Sequence, residues 1–312
     1  MRTAFINKLI ELARKDENIY LLTADLGYSV FEGFAEEFPD RFINVGISEA
    51  NMIGVAAGLA MKGKIVYVYS IIPFLVMRCC EQIKLDVCYQ NLNVKFVGVG
   101  GGFSYGVQGT THHATEDIAI MRVLNNMKVV CPGDPYEASK AVEASAEIDG
   151  PMYIRLNRNN EKHIFSHPFP KFKIGKAIKV ISGNDISIIS TGNMLEQCLN
   201  ISKKLIDNNN VSVNLISMHT VKPIDKIAVD ECARHTKYIF TVEEHNLIGG
   251  LGSAVSEILC ENMNKNIIFK KYGIGDRYPQ AFGSEDYLRK FYNIDEEYIY
   301  NDILKSISKQ KA

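Results

Sequence analysis

Phe42-Ile-Asn-Val-Gly-Ile-Ser-Glu-Ala-Asn-Met-Ile-Gly-Val-Ala-Ala-Gly-Leu-Ala60 decides how this chain is read. A short apolar strand runs straight into a helix of small residues, with one carboxylate, Glu49, at the junction. Ser48 stands where a helix cap is expected. An anion in the first helical turn is favoured by the positive end of the helix dipole. Gly54, Ala57, Gly58 and Ala60 predict a helix face with almost no side-chain bulk, which another backbone can approach closely. Taken alone, a Glu after a strand reads first as an ordinary first-turn carboxylate.

Outward from this segment, apolar runs alternate with helical periodicity to both ends of the chain. Strands are predicted at Ile19–Ala24, Ile65–Tyr69, Val94–Val99, Val129–Cys131 and Tyr153–Leu156. A second series follows at Ile186–Ser190, Val211–Ile216, Tyr238–Val242 and Ile267–Tyr272. The alternation predicts an α/β chain of two domains, each a largely parallel sheet flanked by helices. The stretch Asn157 to Lys173 is polar and broken by Pro168 and Pro170, so it reads as a linker. The domains are placed at residues 1–165 and 175–312.

The chain has 312 residues, enough for two domains, and 46% of them are apolar. Thirty-five basic and 36 acidic residues give a net charge of −1, with both signs interspersed. That balance gives no reason to expect nucleic acid or a membrane surface. No apolar run is long enough to span a bilayer, and the first residues form an amphipathic helix pattern rather than a signal peptide. Seven Cys, mostly in apolar stretches (Cys131, Cys198, Cys260), read as reduced, buried thiols of a cytoplasmic protein. Adjacent Cys79 and Cys80 lack metal-site spacing.

Gly46-Ile-Ser-Glu49 resembles the Gly-Ile-x-Glu run in the pyrimidine-binding domain of thiamine-diphosphate enzymes of the transketolase group. Further segments are similar to that family in the same order: Leu21 to Gly27, the Phe-Pro-Asp-Arg-Phe before the run, Gly109-Thr-Thr-His-His-Ala-Thr-Glu-Asp117, Val129 to Pro135 and Tyr153 to Arg158. Thr241-Val-Glu-Glu-His-Asn-Leu-Ile-Gly-Gly-Leu-Gly-Ser253 is similar to the C-terminal domain signature. The resemblance implies that Glu49 activates the cofactor by hydrogen-bonding its aminopyrimidine. A carboxylate that shares its proton readily suits that task, and burial favours the protonated form.

The resemblance also makes Phe74 the ring that stacks on the pyrimidine. Ile71 and Met77 stand where other members often have further aromatics. It makes His112 a group that contacts the substrate and moves protons. It implies that Arg158, Arg2 and Ser29 bind a sugar phosphate, a task suited to the forked guanidinium. His163, His167, His219 and His235 carry no motif and read as structural or surface residues, and Glu243, Glu244 and His245 as domain-interface residues. Two departures concern the substrate: Gln108 replaces an Asp that contacts the donor sugar, and a His expected near Gly100 is missing. Both bring the usual pentose and hexose phosphate pairing into question.

The family's Gly-Asp-Gly motif, whose oxygen ligands hold the diphosphate through Mg²⁺, does not occur in the sequence. The resemblance therefore implies the C-terminal subunit of a split transketolase. Its partner would be an N-terminal subunit that holds the diphosphate and metal, in an α2β2 assembly. The implied reaction transfers a two-carbon ketol unit from a ketose or ketose phosphate to an aldose. Three alternatives stay open: a 2-oxo-acid dehydrogenase β subunit, a 1-deoxyxylulose-5-phosphate synthase-like enzyme, and a non-catalytic regulatory subunit.

Overall fold

The computed structural model describes residues 1–158, 161–261, 267–278, 280 and 282–308. Two sheets organise it. The first contains β1 (Ile19–Thr23), β2 (Phe42–Asn44), β3 (Ile65–Ile71), β4 (Val94–Val99), β5 (Lys128–Val130) and β6 (Met152–Leu156). The second contains β7 (Ile178–Ile181), β8 (Ile186–Ser190) and β9 (Val213–Ser217). After β10 (Thr220–Lys222), it is completed by β11 (Tyr238–Asn246) and β12 (Ile268–Ile274). The orders are β10-β5-β6-β4-β3-β1-β2 and β12-β11-β8-β9-β7. Every pairing is parallel except β7 with β9 and β10 with β5. The expected two-sheet α/β architecture is what the chain forms.

β3 shows why these strands read clearly. Successive side chains point to opposite faces. Val66 and Val68 pack with Met52, Ile53 and Ala56 on one side. Tyr67, Tyr69 and Ile71 pack with Phe5 and Leu9 on the other. Both faces are covered by helices, so nearly every position is apolar.

The helix Glu49–Met61 buries Met52, Ile53, Ala56, Ala57 and Ala60 against its own sheet. Its small-residue face therefore divides: Ala57 and Ala60 turn inward, while Gly54 and Gly58 are exposed, one turn apart. A Cβ at either glycine would have nothing within 4 Å. The helix ends in a Schellman motif. Lys64 N donates to Leu59 O (3.2 Å) and Gly63 N to Ala60 O (3.0 Å), with Gly63 in the left-handed region at φ +82°. At the other end Ser48 occupies the cap position without capping, because its hydroxyl donates to Val45 O at 2.9 Å.

The second sheet does not stand apart from the first. Thr220–Lys222, absent from the predicted strands, crosses back to pair with β5. Ser217 Oγ on β9 donates to Glu137 Oε1 in the helix Pro135–Glu147 (2.7 Å). The stretch read as a linker is also tied down: Ile164 N and Phe165 N both donate to Asp134 Oδ2. All seven cysteines are free; Cys260, placed in an apolar stretch, is exposed, and Cys80 is half-buried. Among the described residues, no helix is long and apolar enough to cross a membrane.

Candidate active site

In open parallel sheets, ligands bind outside the carboxyl ends of the strands, where the strand order reverses. Here β1 is followed by β2 on one side, and β3 and β4 lie on the other. The residues singled out in the sequence lie largely along this edge. Phe74 follows β3, the loop bearing Gln108 and His112 follows β4, and Arg158 follows β6.

Glu49 is the first residue of its helix and only 3% exposed. Its Oε2 accepts from Arg78 Nη1 at 2.6 Å. The Arg78 guanidinium also lies over the Phe74 ring, 4.7 Å from its centroid. Phe74 is half-buried and meets His112 edge-on, with centroids 5.1 Å apart. His112 in turn lies 6.0 Å from the Tyr105 ring, over which Arg158 sits at 4.6 Å. Carboxylate, cation, aromatic ring, imidazole, phenol and second cation thus form one continuous row.

The His112 imidazole titrates below the usual 6.5, chiefly through desolvation and secondarily through the neighbouring His113 charge. It is therefore mainly neutral at pH 7. Its Nδ1 lies 2.9 Å from Thr111 Oγ1. His113 faces away into the protein, with Nε2 3.0 Å from Gly106 O.

Arg2 joins Arg158 at the far end of the row. Burial raises the Tyr69 hydroxyl well above its ordinary value, and both guanidinium charges draw it part of the way back. Burial raises Tyr105 too, against the same two charges. The four side chains form a small basic and phenolic cluster. Ser29 is not drawn into it. It lies exposed in the turn after β1, in the left-handed region at φ +60°, with its N–H donated to Glu32 Oε1 at 2.6 Å. Nothing among the described residues bonds it to Arg2 or Arg158.

Three further candidates differ in exposure. Gln108 ends a short 3₁₀ turn with its side chain in solvent. Met77 is 52% exposed. Ile71 is 8% exposed and packs with the core beneath Phe74, so its side chain supports the platform from below. Sequence reading gave no role to Arg78, Tyr69 or Tyr105. Arg78 lies in the turn after the helix Ile72–Val76, where no motif marks it.

Comparison with known proteins identifies the family. The sequence model of the transketolase pyrimidine-binding domain matches residues 1–162, and that of the transketolase C-terminal domain matches residues 175–299. The chain belongs to the transketolase family. It is 39% identical to a putative transketolase C-terminal section of Methanocaldococcus jannaschii, over 99% of this chain and 97% of that protein. It is 35% identical, over the same shares, to a subunit of the apulose-4-phosphate transketolase of Phocaeicola vulgatus. A 1-deoxy-D-xylulose-5-phosphate synthase of Syntrophus aciditrophicus is 34% identical over 94% of this chain, which spans 45% of the synthase. Among solved structures, a split gene transketolase described as an inactive beta4 tetramer superposes with a TM-score of 0.87. It is 36% identical over 98% of this chain and 97% of that one.

The transketolase family depends on thiamine diphosphate, and the residues here fit its pyrimidine half. An aminopyrimidine needs a carboxylate sheltered from water at one edge and an aromatic ring against its face. Glu49 is sheltered at the start of a helix, and Phe74 presents a half-buried ring joined to it through Arg78.

Proposed function

We propose that this transketolase-family chain is the pyrimidine-binding subunit of a two-chain enzyme. The enzyme would transfer a two-carbon ketol unit from a ketose, or ketose phosphate, to an aldose. One observation carries the reading: Glu49, Phe74 and His112 stand in a row along one edge of the sheet, Arg78 joining the first two and an edge-on ring contact joining the last two. When bound, thiamine diphosphate supplies a thiazolium carbon that holds carbanion charge beside the donor carbonyl. Glu49 would hydrogen-bond the pyrimidine nitrogen and exchange a proton there. Phe74 would hold the ring in plane, with Ile71 and Met77 alongside it. Neutral His112 would accept a proton from a substrate hydroxyl and return it.

Arg158 and Arg2 would bind the phosphate or another anionic end of the sugar, beside the Tyr69 and Tyr105 hydroxyls. Ser29, placed by its resemblance to the family's phosphate-binding Ser, would lie nearer the solvent side of this group. Exposed Gln108 would meet the donor's hydroxyls. The name of the Phocaeicola relative, which specifies a sugar phosphate, supports this polarity. The diphosphate and Mg²⁺ would be held mainly by an N-terminal partner subunit, in an α2β2 enzyme. Exposed Gly54 and Gly58 would let the partner approach closely.

The 34% identity to a deoxyxylulose-phosphate synthase favours a second reading, in which pyruvate is the donor. Co-expression with the partner, calorimetry with thiamine diphosphate and Mg²⁺, and mass spectrometry of products from ketoses and pyruvate test both. We expect tight cofactor binding only in the complex and products two carbons longer than the aldose. Sub-micromolar binding by this chain alone would defeat the two-chain reading. Release of CO₂ from pyruvate would favour the synthase.

A further inference from the structure

We propose that Glu244, in the second domain, is a positioning residue for the active site. It clamps the loop that carries His112 and so sets the geometry in which the sugar is handled. The inference rests on the proposed role of His112.

Glu244 lies on β11, far along the chain from the loop it holds, and is 1% exposed. Its Oε2 accepts from Phe103 N (3.2 Å) and from Asn193 Nδ2. Its Oε1 accepts from Arg289 Nε at 2.6 Å. A buried carboxylate with three donors is held in one orientation. Its main chain grips the other end of the loop: Glu244 O accepts from Arg155 Nη2 (3.1 Å), and the same nitrogen reaches Ala114 O (2.9 Å). Gly102 and Ala114 close the loop on itself, each N–H bonding the other's carbonyl at 3.0 Å. Glu244 thus holds one end of the segment that contains His112 directly and the other through Arg155.

Two features show that the fit is specific. Gly102 has φ +60°, and a Cβ there would fall 2.0 Å from Glu244 Oε2, so only glycine admits the carboxylate. Phe103 is fully buried among Ile274, Leu288, Tyr292 and Ile294 of the second domain. Its ring meets His113 edge-on at 5.3 Å. Displacing Phe103 would therefore move His113 and, through the shared backbone, His112. Glu244 touches none of the proposed reacting groups, so any catalytic effect must pass through the loop.

The first measurement uses this chain without partner, cofactor or sugar: amide hydrogen exchange of peptides covering residues 102–115. Glu244→Ala should raise exchange there about tenfold or more while peptides of β3 stay unchanged. In the assembled enzyme with thiamine diphosphate and Mg²⁺, it should lower kcat/KM for ketol transfer roughly 30- to 100-fold, the scale of a misplacement near 1 Å. Thiazolium proton exchange should stay within about twofold of wild type. Glu244→Gln keeps an acceptor for Phe103 N but turns its amide NH2 toward Arg289 Nε, so it should restore part of the loss. Adding Glu244→Ala to His112→Ala should cost nothing further, since both act through one group. If Glu244→Ala does not assemble, Asn193→Ala, which frees one side of the carboxylate, should give the same signature at smaller amplitude.

Unchanged loop exchange, or a loss fully additive to that of His112→Ala, overturns the proposal. Full ketol transfer by His112→Ala alone would instead defeat the functional reading. The loop measurement, made without substrate, would stand apart from that result.

Discussion

Arg78 Nη1 lies 2.6 Å from Glu49 Oε2, which makes the buried carboxylate half of an ion pair whose other half is exposed. Arg78 also lies over Phe74, so one guanidinium fixes the carboxylate and the ring relative to each other.

From this pair follows a chemical expectation. Glu49→Gln keeps the shape but cannot exchange the proton at the pyrimidine nitrogen. Exchange of the thiazolium proton in the assembled enzyme should slow by about 10²- to 10⁴-fold, with assembly intact. Arg78→Met should slow it less, and its effect should vanish in the Glu49→Gln background if the arginine acts through the carboxylate. Proton NMR with rapid quench reads both. Wild-type exchange in Glu49→Gln would remove Glu49 from the chemistry.

His112 should show itself in the pH profile. Desolvation holds its pKa below 6.5, and the neutral ring is the form that accepts a proton. The acid limb of kcat/KM should therefore fall below pH 6.5. In His112→Ala that limb should disappear, ketol transfer should drop by roughly 10²- to 10⁴-fold, and thiazolium exchange should stay near wild type. An acid limb above 6.5 would contradict the assignment.

Arg158→Ala separates phosphorylated from unphosphorylated donors. For a phosphorylated ketose, KM should rise about 10- to 100-fold, the range of a lost charge-assisted pair. For the matching free sugar it should stay within about twofold of wild type. Steady-state kinetics on such a pair decides the point; equal losses on both would mean that Arg158 does not read phosphate.

Glu137 gives a stability expectation. Burial raises its carboxyl from 4.5 to about 8, against the opposing pull of Gly133 N–H and Ser217 Oγ–H. Between these values the folded chain holds a proton that the unfolded chain has lost. The stabilisation is therefore complete below pH 4.5 and is lost as pH rises from there through 8, a swing on the order of 5 kcal/mol. Glu137→Gln stays neutral throughout. Thermal melts from pH 6 to 9 should show wild type declining relative to this variant, and a wild type that gains would reverse the assignment.

Most of the strands that sequence reading recovered are buried on both faces; the edge strands β2 and β12 are only partly buried and were recovered from their apolar composition. Tyr238 to Val242 was found because every position is apolar or small, yet the strand continues to Asn246 through Glu243, Glu244 and His245. Those polar residues read as interface residues; Glu244 bonds Phe103 and His245 bonds Ala119, both in the first domain, and pairings so distant in the chain leave no local pattern. Thr220–Lys222 was missed because three residues carry no periodicity and their pairing partner belongs to the other half of the chain. At the site, Glu49, Phe74 and His112 were legible because each sits in a motif. Arg78 was not, because an arginine in an exposed turn looks like any solvated charge until its target is known. The small-residue face was half right, since spacing shows which residues are small but not which side of the helix meets the sheet.

The antiparallel pairing of Thr220–Lys222 with β5 bears on how the protein is made. A ribosome delivers the first six strands of the leading sheet by residue 156, yet one edge of that sheet stays open until residue 222 has emerged. For that interval β5 presents unpaired backbone groups, a surface other nascent chains can join. Truncation after the first domain would make that state permanent, so a shortened gene product is expected to aggregate where the full chain stays dispersed.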